Sequence, residues 1–223
     1  MNIIEYAGRD MLAIDVANAI AGDLETHLLH HDIATLAVAG GTTPGPIFDI
    51  LCAADLDWSR VRVMPTDERW VPGDNPRSNE KLIRDRLLTA RAATATYLPL
   101  YANADQPEDV LAELESNIAP GLPLSVVVLG MGEDMHTASL FPQSAGLHAA
   151  LSADAPILAA LRPGSQPETR VTLTARVLDG AMSKHLVITG QGKRNALERA
   201  MSLAPEEAPI QAVLSEMIVH WAE

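Results

Sequence analysis

The sequence predicts an α/β fold, a three-layer open and mostly parallel sheet with helices on both faces. Three observations carry that expectation. Runs rich in Val, Ile and Leu at Ile33–Val38, Val61–Met64, Leu124–Leu129 and His185–Thr189 are apolar at most positions, the mark of strands buried on both faces. Between them lie segments whose apolar residues recur at helical spacing. The two patterns alternate along the chain, as parallel sheets joined by crossover helices require.

Each element follows in order. Ile3–Tyr6 is a weaker strand, and Met11, Ile14, Val16, Ile20, Leu24 and Leu28 place a helix from Asp10 to about His30. After the Ile33–Val38 strand come a Gly-Gly turn and a helix over 44–53. The Val61–Met64 strand is followed by a helix at 78–88, a weaker strand at Thr96–Leu98 and a helix at 107–118. Beyond Leu124–Leu129, weaker strands are expected at Ile157–Ala160 and Arg170–Thr174. His185–Thr189, a helix at 191–202 and a last strand at Met217–His220 complete the series. Stretches bearing Pro and Gly at 71–76, 119–123 and 163–167 read as loops. With no repeat, low-complexity segment or linker, residues 1–223 read as one domain.

Composition narrows the function. At 48% hydrophobic, 20% charged and a mean hydropathy of +0.08, the chain is neither disordered nor fibrous. A formal charge of −13 argues against holding nucleic acid or an anionic membrane by bulk electrostatics. No apolar run approaches the roughly 20 residues of a membrane-spanning helix, and no signal peptide is visible, so the cytoplasm is the expected compartment. A single cysteine, Cys52, excludes an intrachain disulfide and reads as a buried, inert thiol.

The charge is unevenly spread. Residues 1–59 hold one base, Arg9, against nine acids, and residues 92–161 hold no base and eight acids. Residues 60–91 carry eight bases against five acids, and residues 162–199 seven against three. If folding brings the two basic blocks together, an acidic protein acquires a local pocket for a small anion.

Four constellations could carry chemistry. Gly40-Gly41-Thr42-Thr43-Pro44 lies between a buried strand and a helix, where glycines allow close backbone approach, Thr43 can cap the helix and Pro44 suits its first position. Such a turn could seat a phosphate, though it is neither a P-loop nor a dinucleotide fingerprint. Thr66-Asp67-Glu68-Arg69-Trp70 follows a second buried strand, at the end where open α/β sheets bind ligands. Third is the run from Gly130-Met131-Gly132 through Glu133-Asp134-Met135-His136 to Pro142, in which His136 follows two carboxylates and is a candidate general base. Ser139 lacks the flanking glycines of a nucleophile elbow, and a third glycine for a dinucleotide site is missing at Met135. Fourth, Arg170-Val171-Thr172 and Gly190-Gln191-Gly192-Lys193 each put a cation near a strand end, and Lys193 in a helix's first turn makes sense if an anion sits beside it. His27 and His31 share a helix face but suggest no third ligand, so no metal site is expected.

Taken in order, these motifs resemble the bacterial 6-phosphogluconolactonase family, from about residue 30 to 200, with His136-Thr137-Ala138-Ser139-Leu140-Phe141-Pro142 the most specific element and Ser78-Asn79 also matching. That family is related in fold to glucosamine-6-phosphate deaminases and ribose-5-phosphate isomerases. The resemblance implies hydrolysis of 6-phospho-D-glucono-1,5-lactone to 6-phosphogluconate in the oxidative pentose phosphate pathway, without metal or organic cofactor. It further implies that His136 activates water, that Asp134 or Asp67 orients the imidazole, and that Arg69 stabilises the oxyanion or binds hydroxyls. Gly40, Gly41, Thr42, Thr43, Arg170 and Lys193 would hold the phosphate. The only partner implied is the small sugar-phosphate lactone, met by a monomer or weak dimer. The deaminase pattern places a Glu five residues after its histidine, where this chain has Phe141, which disfavours an isomerase or deaminase. The same fold also serves as a sugar-phosphate-sensing domain of regulators, but no basic DNA-binding appendage is visible. Where the family usually reads Asp-Gly-His, this chain reads Asp134-Met135-His136. If that position needs positive φ, Met135 is strained or the loop rearranged.

Overall fold

In the computed structural model, which describes residues 2–223, the strands are β1 (Asn2–Glu5), β2 (Ala34–Val38), β3 (Val61–Pro65), β4 (Asp67–Arg69), β5 (Thr96–Tyr97), β6 (Val126–Leu129), β7 (Leu158–Leu161), β8 (Arg170–Leu173), β9 (Ser183–Thr189) and β10 (Ile218–Ala222). The α-helices are α1 (Arg9–Leu28), α2 (Gly45–Leu51), α3 (Asn79–Arg86), α4 (Leu111–Ile118), α5 (Leu147–Leu151), α6 (Ala175–Asp179) and α7 (Gln191–Ala200). Seven strands form one sheet in the order β1-β10-β9-β6-β2-β3-β5, every pairing parallel. None of the described helices is long and apolar enough to cross a membrane.

Strand alternation explains the layers. Along β6, Val126 and Val128 point into one core with Leu36, Val38, Val61 and Val63, and this core is closed by Val16, Ile20 and Leu24 of α1, Phe48 of α2 and Ile83 of α3. Val127 and Leu129 point into the other core, closed by Leu114 and Ile118 of α4, Leu178 of α6 and Leu197 of α7. Each such side chain contributes about 1.5–3 kcal/mol relative to exposure, and a strand flanked by two cores has no reason to alternate with polar residues.

β4, β8 and β7 form a separate antiparallel sheet of three strands, with Asp67 opposite Thr172 and Arg69 opposite Arg170. Thr66 hands the chain across: its N–H donates to Val38 O (2.9 Å), and its carbonyl accepts from Leu173 N–H (2.9 Å). The charged stretch after β3 thus forms a short strand of its own.

Two helix starts differ. Ser78 caps α3, its hydroxyl accepting from Lys81 N–H at 3.4 Å. Thr43 does not cap α2; Pro44 takes the N-cap position without a side-chain bond. Gly41, at φ +87°, turns the chain so that Thr42 and Thr43 stay in the loop and border a cavity. The helix expected over 107–118 is divided at Val110, φ −130°, into a single 3-10 turn and α4.

From β2 the chain builds outward through β3 and β5 on one side, then returns to β6, β9 and β10 on the other. Such a reversal opens a crevice at the carboxyl ends of the central strands, and the three glycine-bearing turns after β2, β6 and β9 meet there.

Candidate active site

The crevice is a cavity of about 360 Å³. Gly40, Gly41, Thr42, Thr43, Asp67, Arg69, His136, Arg170 and Lys193 all border it, so residues from five stretches of sequence converge. Asp134 meets the cavity only through His136, whose Nδ1 lies 2.5 Å from its Oδ1.

The close approach of backbone to side chain is built in at two glycines. A Cβ on Gly132 would fall 2.3 Å from His136 Nδ1 and 2.4 Å from Asp134 Oδ1, so only glycine leaves room for that pair. A Cβ on Gly40 would fall 1.9 Å from Asn79 Oδ1. Asn79 in turn donates Nδ2–H to the Asp67 carbonyl at 2.7 Å and so joins the Gly-Gly turn to β4.

The loop carrying His136 is held by backbone bonds from Gly132 N–H to His136 O (3.0 Å) and from Met135 N–H to Gly132 O (2.9 Å). Met135 sits at φ +66°, the left-handed conformation that glycine would adopt freely. The hydrogen bond from His136 holds the Asp134 carboxyl below its ordinary pKa against the opposing effect of burial.

The two carboxylates considered for orienting the imidazole occupy different places. Asp134 is bonded to His136, whereas the buried Asp67 accepts from Ser139 Oγ–H at 2.5 Å and stands 3.7 Å from Arg170 Nη1. Asp67 therefore fixes the turn that follows His136 rather than the ring.

Three cations face the cavity. Arg170, 4% exposed, donates from Nη2 to Gln166 Oε1 at 2.7 Å, while its buried Nε has no partner. Burial pushes its pKa down, opposed by Asp67. Arg69 is held by a bond from Nη1 to the Arg77 carbonyl, and its buried Nε is also unpartnered. Burial likewise lowers the Lys193 pKa, with Glu133 opposing. Unpartnered guanidinium N–H groups beside an ammonium give a receptor for an anion with several oxygens.

Sequence reasoning assigned no individual role to Glu68, Asn79 or Gln166. Glu68 is buried and accepts from the backbone N–H of Arg69 (2.7 Å), Asn79 (2.8 Å) and Glu80 (2.7 Å) and from Ser78 Oγ (3.0 Å). No local signal marks it: on β4 Asp67 and Arg69 face the cavity and Glu68 faces away, toward α3, but that alternation exists only once β8 pairs with β4. Among the described residues, no three His, Cys, Asp or Glu side chains converge as metal ligands, and His27 and His31 stack with centroids 4.1 Å apart.

Known proteins share the sequence pattern and the fold. The family model for glucosamine-6-phosphate isomerases/6-phosphogluconolactonase matches residues 7–221. A 6-phosphogluconolactonase of Rhizobium meliloti strain 1021 is 39% identical over 228 residues, covering 99% of this chain and 98% of the relative. One from Pseudomonas aeruginosa is 39% identical over 212 residues, covering 92% and 88%. The crystal structure of a 6-phosphogluconolactonase from Shewanella baltica OS155 superposes with a TM-score of 0.96 at 32% identity, covering 100% of this chain and 98% of that one. A monomeric glucosamine-6-phosphate deaminase, 17% identical with a TM-score of 0.83 over 100% and 98% of the two chains, shares the fold.

Proposed function

This chain belongs to the glucosamine-6-phosphate isomerase/6-phosphogluconolactonase family and is an enzyme of the 6-phosphogluconolactonase type, and from that premise we propose that it hydrolyses 6-phospho-D-glucono-1,5-lactone to 6-phospho-D-gluconate with His136 as general base and no metal ion. It acts as one domain over residues 1–223, in the cytoplasm, as a monomer or weak dimer.

The observation that carries this reading is an Asp134-bound imidazole in the same cavity as three cations. With Asp134 ionised, Nδ1 keeps its proton and Nε2 is left as the acceptor. Nε2 takes a proton from water as the water oxygen bonds to the lactone carbonyl carbon, and the carbonyl oxygen becomes an oxyanion. Collapse of that intermediate breaks the bond from carbon to ring oxygen, and the imidazolium returns its proton to the departing oxygen. The carboxylic acid formed then ionises. Arg69 stabilises the oxyanion or binds substrate hydroxyls, a role worth about 3 kcal/mol at comparable sites. Arg170, Lys193, Thr42, Thr43 and the backbone of Gly40 and Gly41 hold the phosphate, and binding energy from that remote group positions the reacting carbon.

Acid release from freshly made lactone, followed by stopped flow after dialysis against EDTA and corrected for spontaneous hydrolysis, tests the proposal. Wild-type enzyme turns over without added metal, and His136→Ala, folded by circular dichroism, loses about 10²–10⁴ in kcat with little change in KM. A folded His136→Ala enzyme near wild-type activity, or turnover restored only by a divalent ion, contradicts it.

A further inference from the structure

We propose that Phe141 is a positioning residue that sets the plane of the His136 imidazole, an inference that rests on His136 being the base. The phenyl ring stacks on the imidazole with centroids 4.1 Å and planes 21° apart. One hydrogen bond, from Nδ1 to Asp134, fixes a direction and leaves the ring free to turn about it. A face-to-face neighbour removes that freedom. Asp134 is the more exposed of the two supports, its side chain 52% exposed, whereas Phe141 is 4% exposed.

The chain spends several interactions on bringing these rings together across five residues. Thr137 and Leu140 pair as an isolated bridge, with Leu140 N–H donating to Thr137 O at 2.9 Å, and Ala138 takes φ +48°. Thr137 Oγ1 donates to Gly130 O at 2.9 Å, which ties the turn to the end of β6. Ser139 is pinned twice, from Oγ to Asp67 and from N–H to Thr172 Oγ1 at 3.3 Å. The buried Asp67 thus acts on the imidazole through the turn and Phe141. The Arg170 guanidinium carbon lies 5.9 Å from the Phe141 centroid, so one ring borders both the base and a phosphate anchor.

The test compares Phe141→Leu and Phe141→Tyr in the whole enzyme, by lactone kinetics and by the NMR resonances of the His136 ring, assigned by their loss in His136→Ala. Phe141→Leu should lower kcat about 10–100-fold while KM stays within about threefold, and the His136 ring protons should move downfield as the ring current is lost. Phe141→Tyr should restore both. Phe141→Met, of similar volume, carries the same expectations if Leu unfolds the loop. A Leu or Met enzyme with wild-type kcat, unmoved His136 resonances, or a loss that Tyr fails to restore overturns the proposal. An active His136→Ala enzyme removes the base assignment itself; an inactive one beside a fully active Phe141→Leu removes only the role of Phe141.

Discussion

Met135 shows how a single backbone angle is tied to the chemistry beside it. Its φ of +66° costs an L-residue about 1–2 kcal/mol, and the loop sustains it because the Met135 carbonyl accepts from Ile210 N–H at 3.1 Å and its side chain packs on the core. Met135→Ala and Met135→Gly both delete that packing, but only Gly relieves the angle. The Gly variant should therefore be the more stable of the two by about 1 kcal/mol in urea unfolding. Equal midpoints, or Ala above Gly, would show that the angle stores no strain. The need for positive φ was legible in the sequence, because Met135 stands where the resembling family has glycine. Which carboxylate holds His136 was not. Asp67 and Asp134 are both close to a strand end in sequence, and their roles are separated by two bonds of the fold, Asp134 to His136 and Asp67 to Ser139, the latter 72 residues apart.

At the level of elements, the four central strands and the long helices were readable because each depends on a local pattern: apolar runs for strands under two cores, helical spacing for α1 and α7. β4 was not, since three charged residues form a strand only when β8, about a hundred residues later, supplies its partner. The helices α5 and α6, five residues each, are too short to show a period. Glu68 links β4 to α3, and its four donors define a prediction at this scale. Burial pushes its carboxyl pKa up while the four hydrogen bonds pull it down, so the group is held by geometry against desolvation. Glu68→Gln keeps the volume but turns an NH2 toward donors, and should lower stability by about 1–3 kcal/mol. An unchanged urea midpoint would mean that the α3 N-terminus needs no carboxylate.

For the whole molecule, the two basic blocks do meet: Arg69 and Arg170 are opposite each other in register, and Arg77 pairs with Glu168. Far from the cavity, a second polar chain crosses the sheet. Tyr6 Oη, His220, His185 and Asp23 are linked at 2.7, 3.0 and 2.8 Å. Asp23 accepts from His185 Nε2–H, and the chain runs on through His220 to the Tyr6 hydroxyl. Burial, then the neighbouring His185, holds His220 down at about 4, with Asp23 opposing. An unfolded chain takes up this proton near pH 6.5, before the folded one does. Stability should thus be full above about 6.5, fall by about 3 kcal/mol as pH drops toward 4, and level off below. Urea unfolding of wild type and His220→Asn across that range checks it; equal slopes would exclude His220 as the source. The same corner of the sheet has a consequence for how the protein is made. β1 pairs only with β10, Asn2 against Ile218. A ribosome makes β1 long before β10, with the other strands of the sheet between them, so an edge bearing Ile3 and Ile4 waits while more than two hundred residues are added before its hydrogen bonds close. Vectorial folding of this chain can proceed from the centre of the sheet outward, but its first strand is among the last to dock.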